Sequence, residues 1–346
     1  MKKQRLGQFY TTNYKYILQG FTVSDKEQNI IEPFVGKGDL LKLDYIKDKN
    51  VEYYDIDPKY PNTTKRNTLL EPPGYKNKFV ITNPPYLARN KSDDKTLFDK
   101  YKINDLYKCF VKQIIFDPPN GGIVIIPLNF WCSIRKGDID LRKEFLTVFA
   151  VDKLNIFEEK VFNDTTYTVC SFQFHKRLEN STNEIKAVIY PCKTEIQLKL
   201  NETNNYIIGG EIYTLAQNND IVVDRLTHKN KDENKKYITN LLLKCIDDSE
   251  TNKISLTLVK DDEIYIDDTQ KCSARSYASI IIKPALSIEQ QKKIAEHFNI
   301  YMRFKRKYYH SLFLTNYRES KTIARKRISF GLAYKIINNL ISKLYL

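Results

Sequence analysis

The sequence predicts an α/β domain built on a doubly wound, mostly parallel sheet, followed by a second, α+β domain. Three observations carry this. Short apolar runs alternate with helical segments from residue 29 to about residue 175. A glycine pair, Gly36-Lys37-Gly38, separates the first apolar run from a helix-like segment. Beyond the polar stretch His175–Glu184, the alternation gives way to short strands broken by polar loops. The domain limits are therefore expected at 1–180 and 181–346.

The first domain reads element by element. Asn29-Ile30-Ile31-Glu32 is a short strand, and the glycine turn after it should open a helix near Asp39-Leu40-Leu41. Val51 to Asp55 is a second strand, ended by Ile56-Asp57-Pro58. Phe79 to Thr82 is a third, all apolar except at its end. Leu106 to Ile115 repeats apolar residues at helical spacing. The turn Asp117-Pro118-Pro119-Asn120-Gly121-Gly122 leads into the buried strand Ile123–Ile126. A helix near Leu141–Val148 and strands near 153–156 and 168–174 complete the domain. In the second domain, Ser287-Ile288-Glu289-Gln290 is a capping-box start for a helix running to about residue 307. A final helix begins near Gly331.

Composition narrows the partners. Over 346 residues the net charge is +14, which favours a polyanionic partner. The charge is concentrated: residues 301–346 hold eleven Lys/Arg and a single acid, Glu319. The six cysteines form no C-x-x-C pair and several lie in apolar runs, so they read as free thiols in a reducing, cytoplasmic compartment. No metal-ligand spacing, membrane span or signal-peptide core is visible.

The chemistry centres on Asn83-Pro84-Pro85-Tyr86, at the carboxyl end of the third strand. Consecutive prolines fix φ and donate no hydrogen bond, so the strand stops at Asn83 on a stiff backbone. Such a turn is either a rigid exit from the sheet or the rim of an active site at the carboxyl edge of an open sheet. Upstream, Gly36 and Gly38 permit close approach of backbone amides to a ligand. Asp55 ends the next strand about 20 residues on, placed to accept from a ribose diol. The third glycine of a dinucleotide fingerprint is missing, which favours a cofactor with a single nucleoside, such as S-adenosylmethionine.

In order along the chain, Gly7-Gln8-Phe9-Tyr10-Thr11-Thr12, Glu32-Pro33-Phe34-Val35-Gly36-Lys37-Gly38, Asp55-Ile56-Asp57-Pro58, Asn67-Thr68-Leu69-Leu70 and Asn83-Pro84-Pro85-Tyr86 resemble the motifs of S-adenosylmethionine-dependent DNA adenine-N6 methyltransferases, with the cofactor motifs before the catalytic one as in the gamma arrangement. The resemblance covers about residues 5–175. It implies a Rossmann-like methyltransferase fold with a DNA-recognition domain after it. It further implies that Thr11 and Thr12 lie near the cofactor carboxylate, that Glu32 takes its ammonium, that Gly36 and Gly38 shape the turn, and that Asp55 binds the ribose. Asn67 stands where the family often has aspartate, and would meet the adenine of the cofactor. Asn83 and Pro84 would accept hydrogen bonds from the target amine, Pro85 would stiffen the turn, and Tyr86 and Phe162 would stack on a flipped-out base. The same quartet occurs in protein glutamine-N5 methyltransferases, and ribosomal RNA methyltransferases and a catalytically silent DNA-binding protein are further alternatives.

The basic end favours DNA. Arg318, Lys321, Arg325, Lys326 and Arg327 follow an aromatic-rich run, Tyr308–Tyr317, and Arg275 lies in a polar loop. These are the candidate DNA contacts, through phosphates and base edges. The expected partner is double-stranded DNA, engaged by a monomer without metal, with a cognate restriction endonuclease as a functional partner.

Overall fold

The computed structural model describes residues 7, 9–162, 168–179, 181–249, 251–267, 276–317 and 325–345, with the side chains of 315–317 and 325 excluded. The chain divides into two compact units, Met1–Asn201 and Glu202–Leu346.

The first unit begins with a short helix α1 (Tyr14–Ile17) and carries nine strands: β1 (Asn29–Glu32), β2 (Asn50–Asp55), β3 (Thr64–Lys65), β4 (Phe79–Thr82), β5 (Gly121–Pro127), β6 (Phe149–Phe157), β7 (Val169–Lys176), β8 (Glu184–Tyr190) and β9 (Thr194–Lys199). They form one sheet in the order β3-β2-β1-β4-β5-β7-β6-β8-β9. The first five strands are all parallel, and β7 inserts antiparallel between β5 and β6. This is a doubly wound, mostly parallel sheet, as the sequence predicts. Strand order reverses between β1 and β4, which opens a crevice at their carboxyl ends. The central strands are hydrophobic throughout because both faces are covered: every residue of β4 and β5 is buried. Helices α2 (Thr96–Tyr101), α3 (Leu106–Phe116), α4 (Asn129–Cys132) and α5 (Lys136–Val148) fill the crossovers. A ring cluster of Phe130, Trp131, Phe145, Phe149, Phe172 and Phe174 forms the core beside β7.

Two expectations need correction. The segment after Gly38 is not an α-helix: it makes two single 3₁₀ turns, Leu40–Lys42 and Asp44–Ile46, because Leu43 between them is extended (φ −66°, ψ 129°). The boundary expected after residue 180 falls at 201/202 instead. The run Ile185-Lys186-Ala187-Val188-Ile189-Tyr190 is β8, which pairs parallel with β6 and takes β9 with it into the first sheet.

The second unit is α+β. Strands β10 (Val222–Arg225), β11 (Ile238–Lys244), β12 (Ser255–Leu258) and β13 (Tyr277–Lys283) form an antiparallel sheet in the order β10-β13-β11-β12. Helix α6 (Ile288–Tyr309) starts at the capping box read from the sequence, with Ser287 accepting from the Gln290 amide. It and α7 (Phe330–Tyr345) cover the sheet through Ile294, Phe298, Met302, Leu332 and Ile336. Strands β14 (Thr315–Tyr317) and β15 (Arg325–Arg327) make a separate antiparallel ribbon. Among the described residues no helix is long and apolar enough to cross a membrane.

Candidate active site

Three strands deliver polar side chains to one edge of the sheet. Glu32 ends β1, Asp55 ends β2, and Asn83 follows β4 directly. Each is then fixed by a different set of partners.

Asp55 fastens the glycine turn. Its Oδ2 accepts from the Gly36 amide (2.8 Å) and its Oδ1 from the Asp57 amide (2.7 Å). The Val35 amide bonds the Tyr54 carbonyl (2.9 Å) beside it. Burial raises the Asp55 pKa, opposed by those amide bonds. Gly38 adopts φ +76°, and a Cβ there would lie 2.2 Å from the Tyr60 ring, so both conformation and space demand glycine.

Glu32 is almost completely enclosed. Its Oε1 accepts from Phe34 N (3.0 Å) and from the Thr82 hydroxyl (2.5 Å). Its Oε2 is buried with no hydrogen-bond partner among the described residues. Desolvation, outweighing those two bonds, pushes its pKa up to about 8. A buried carboxyl with one unserved oxygen is suited to a cation not supplied by the protein.

Asn83 is held at both ends of its amide. The Nδ2 donates to the Phe9 carbonyl and to Thr11 Oγ1, both at 2.9 Å. A carbonyl only accepts, so Phe9 fixes which end of the amide is nitrogen. The single proton of the Tyr86 hydroxyl is shared between Asn83 Oδ1 (2.5 Å) and the Ile125 carbonyl (2.8 Å). Burial raises the Tyr86 pKa well above the ordinary range, so the phenol stays a donor. The Gly7 carbonyl accepts from Tyr86 N (2.9 Å), at φ +65°, where a Cβ would lie 2.7 Å from the Tyr86 carbonyl oxygen. The amino-terminal strap thus lies directly on the Asn83–Tyr86 turn. After the turn, Leu87 N is caught by Asp105 Oδ1 (3.1 Å), whose pKa burial raises to about 6 against the pull of Lys108.

A cavity of about 230 Å³ adjoins these groups. Gly36, Asp55 and Asn67, which the sequence reading places at the cofactor, line it together with Asn83 and Pro85, which it places in the catalytic quartet. Glu32, Gly38, Thr11 and Thr12 do not line it. Thr11 turns its hydroxyl to Asn83 instead of the cavity, and Thr12 is exposed. Asn67 Oδ1 accepts from Leu70 N (3.3 Å). The two rings expected to stack on a flipped base are enclosed: Tyr86 is 2% and Phe162 4% exposed, and neither lines the cavity. The Phe9 ring covers both, with centroids 5.3 Å from Tyr86 and 6.4 Å from Phe162. Sequence reasoning passed over Phe9 and Tyr10 as motif neighbours, and over Ile56, which lines the cavity as an exposed apolar residue next to Asp55. Strand alternation after Asp55 is the signal that would have found Ile56.

In the second unit, Arg275, Arg318 and Lys321 lie outside the described residues. Arg325, Lys326 and Arg327 form β15. Lys326 Nζ lies 3.4 Å from the His310 carbonyl. Two other cations of the basic segment serve the fold: Lys305 pairs with Glu211 (2.5 Å), and Arg306 grips Asp247 through both terminal nitrogens (2.9 and 2.7 Å). Among the described residues no group of His, Cys, Asp and Glu could hold a metal ion.

Residues 24–162 match the family model described as Eco57I restriction-modification methylase. That segment contains Glu32, the Gly36 turn, Asp55 and Asn83, so the similarity to a restriction-modification methylase falls on the residues of this site. Solved structures it is similar to include a modification subunit of a putative type I restriction enzyme from Vibrio vulnificus (14% identity over 72% of this chain and 58% of that one, TM-score 0.42). Others are a putative class I S-adenosylmethionine-dependent methyltransferase from Listeria monocytogenes (13%, 55% and 65%, 0.38) and DrdV in complex with DNA (16%, 71% and 36%, 0.43). The chain spans less than two thirds of the length of each. No curated protein matches it.

Proposed function

We propose that the chain transfers a methyl group from S-adenosylmethionine to the N6 amine of an adenine flipped out of duplex DNA, as the modification activity of a restriction-modification system. The observation that carries this reading is the clamped amide of Asn83. With Nδ2 committed to Phe9 and Thr11, Oδ1 is oriented as an acceptor before any substrate arrives.

An exocyclic amine on an aromatic base is a weak nucleophile because its lone pair is delocalised into the ring. Two acceptors aimed at its two hydrogens favour the pyramidal form in which the lone pair is free. Asn83 Oδ1 and the Pro84 carbonyl supply them, and Pro85 keeps their spacing fixed. The Tyr86 hydroxyl steadies Oδ1 without consuming its second lone pair. The bound cofactor supplies a methyl group already activated on a sulfonium, so placement and local electrostatics suffice.

The residues present fit that cofactor. The unpartnered Glu32 Oε2 would receive its ammonium, and the charge would draw the carboxyl into its ionised form. Asp55, at the end of its strand and lining the cavity, would meet the ribose hydroxyls. Asn67 and Ile56 would border the cofactor's adenine. DNA would be held by the β14–β15 ribbon and the arginines and lysines around it, through phosphates. A tritium-transfer assay offering DNA, RNA and a glutamine-containing protein tests the acceptor. Label in DNA is expected. Label confined to RNA or protein would refute the assignment.

A further inference from the structure

The rings expected to grip a target base are already occupied, and by a residue of this chain. Phe9 bridges Tyr86, on which it stacks (5.3 Å, 29° between planes), and Phe162, toward which it is tilted (6.4 Å, 34°), both within aromatic contact range. Phe9 is half-buried and lines the cavity together with Asn83 and Pro85, whereas Tyr86 and Phe162 are buried behind it. A planar group resting on these two rings, next to Asn83, sits where an extruded adenine would have to lie to present its amine to Asn83 Oδ1.

We infer that Phe9 is a stand-in for the target base: its ring fills the base slot in the absence of DNA and leaves when the extruded adenine enters. This inference rests on the base-flipping reading above. Burying three rings against one another keeps a slot that would otherwise expose apolar surface closed and dry. The backbone is built so that the ring leaves alone. The strap is tied on either side of Phe9, through the Gly7 carbonyl on Tyr86 N and through Thr11 Oγ1 on Asn83 Nδ2. The Phe9 carbonyl itself holds Asn83 Nδ2. Rotation about the Phe9 Cα–Cβ bond moves the ring without breaking any of these bonds. Position 9 thus has two separable parts: a main-chain carbonyl that orients the catalytic amide, and a side chain that competes with the base. The competition also gives a selection step, because only a base that stacks better than phenylalanine displaces it.

The test uses a duplex carrying the methylated site, mapped by sequencing DNA modified by the enzyme, with 2-aminopurine at the target position. Its emission rises when the base is unstacked from the duplex. Emission is read at saturating enzyme and S-adenosylhomocysteine for wild type, Phe9→Ala and Phe9→Trp, with circular dichroism melts to establish folding. Phe9→Ala retains the carbonyl and removes the competitor, so the flipped-to-stacked ratio should rise by about threefold or more, the factor one aromatic pair represents. Phe9→Trp should lower it. Phe9→Leu, which keeps bulk but lacks a flat face, should fall between wild type and alanine and serves if Phe9→Ala melts early. A ratio for Phe9→Ala and Phe9→Leu equal to wild type would make Phe9 ordinary packing, and a lower one would make it a platform for the base; either overturns the inference. If wild type itself binds the duplex without any rise in emission, the flipping reading fails and the stand-in falls with it. A wild-type rise without an increase in the variants removes the stand-in alone.

Discussion

The two units of this chain use polar residues in opposite ways. In the first, each functional group is held individually. Asn83 has three named partners, Asp55 has two backbone amides, and Glu32 has two donors on one oxygen and none on the other. In the second, charge works by number, and part of it is diverted to folding through Lys305–Glu211 and Arg306–Asp247. The difference teaches that substitutions in the first unit should remove one function at a time, while those in the second should act by degree.

The largest effect is expected at Asn83. Asn83→Ala removes the acceptor and should lower single-turnover methyl transfer by about a hundredfold to a thousandfold or more, the magnitude of losing one preorganised donor or acceptor. Cofactor binding measured by calorimetry should persist. Parallel losses of binding and rate would mean that Asn83 is part of the cofactor site rather than the chemical one.

A purely structural pair in the same unit sets the scale for stability. Lys108 Nζ lies 2.5 Å from Asp138 Oδ1, with both side chains buried, and Ser133 donates to the other oxygen. Lys108→Ala strands a buried carboxylate and should cost about 3–5 kcal/mol of stability. Lys108→Met/Asp138→Asn should recover much of it. Recovery of stability with methyl transfer at wild-type rate would separate scaffold from site. A single variant as stable as wild type would remove the pair from the account.

Glu32 gives a pH signature. In the empty protein its pKa lies near 8, so an incoming ammonium must displace a proton. Affinity for S-adenosylhomocysteine should therefore rise with pH from about 6, by up to tenfold per unit, and level off near 8. The empty protein should behave in the opposite sense. Because the folded state holds this proton more tightly than the unfolded chain, the stability it contributes is present below the ordinary value of 4.5 and is lost as pH rises through 8. Glu32→Gln should flatten both dependences. An unaltered affinity profile in that variant would reassign the ammonium to another group.

The smallest effects belong to the second unit. Replacing Arg325, Lys326 and Arg327 by alanine together should weaken DNA binding and reduce the salt slope by up to about one unit for each phosphate no longer neutralised. Lys305→Ala, by contrast, should leave the salt slope unchanged and reduce thermal stability. Equal salt slopes for the triple variant and wild type would remove the ribbon from the DNA interface.

Legibility followed the same division. Asp55, Glu32 and Asn83 could be read because each sits at a strand end, where a local pattern of apolar run, turn and polar residue is visible in the sequence. Helix α6 could be placed because its capping box is local too. What could not be read depends on pairings distant in sequence. Phe9, Tyr86 and Phe162 come from three separate segments, and no spacing rule brings them together. The polar stretch before the β8–β9 hairpin resembles a linker, whereas the hairpin's place in the first sheet is fixed by pairing with β6. The charge of residues 301–346 is visible in the sequence, but which of its cations are committed to ion pairs is fixed only in three dimensions.

The central claim is that Asn83 presents an adenine amine for methylation in DNA. It is tested most directly by incubating unmethylated DNA with labelled S-adenosylmethionine and wild-type or Asn83→Ala protein, then digesting to nucleosides and identifying the labelled species. The account predicts label in N6-methyl-2′-deoxyadenosine with wild type and virtually none with Asn83→Ala. Label in a methylated cytidine, or comparable N6-methyladenine from both proteins, would contradict it.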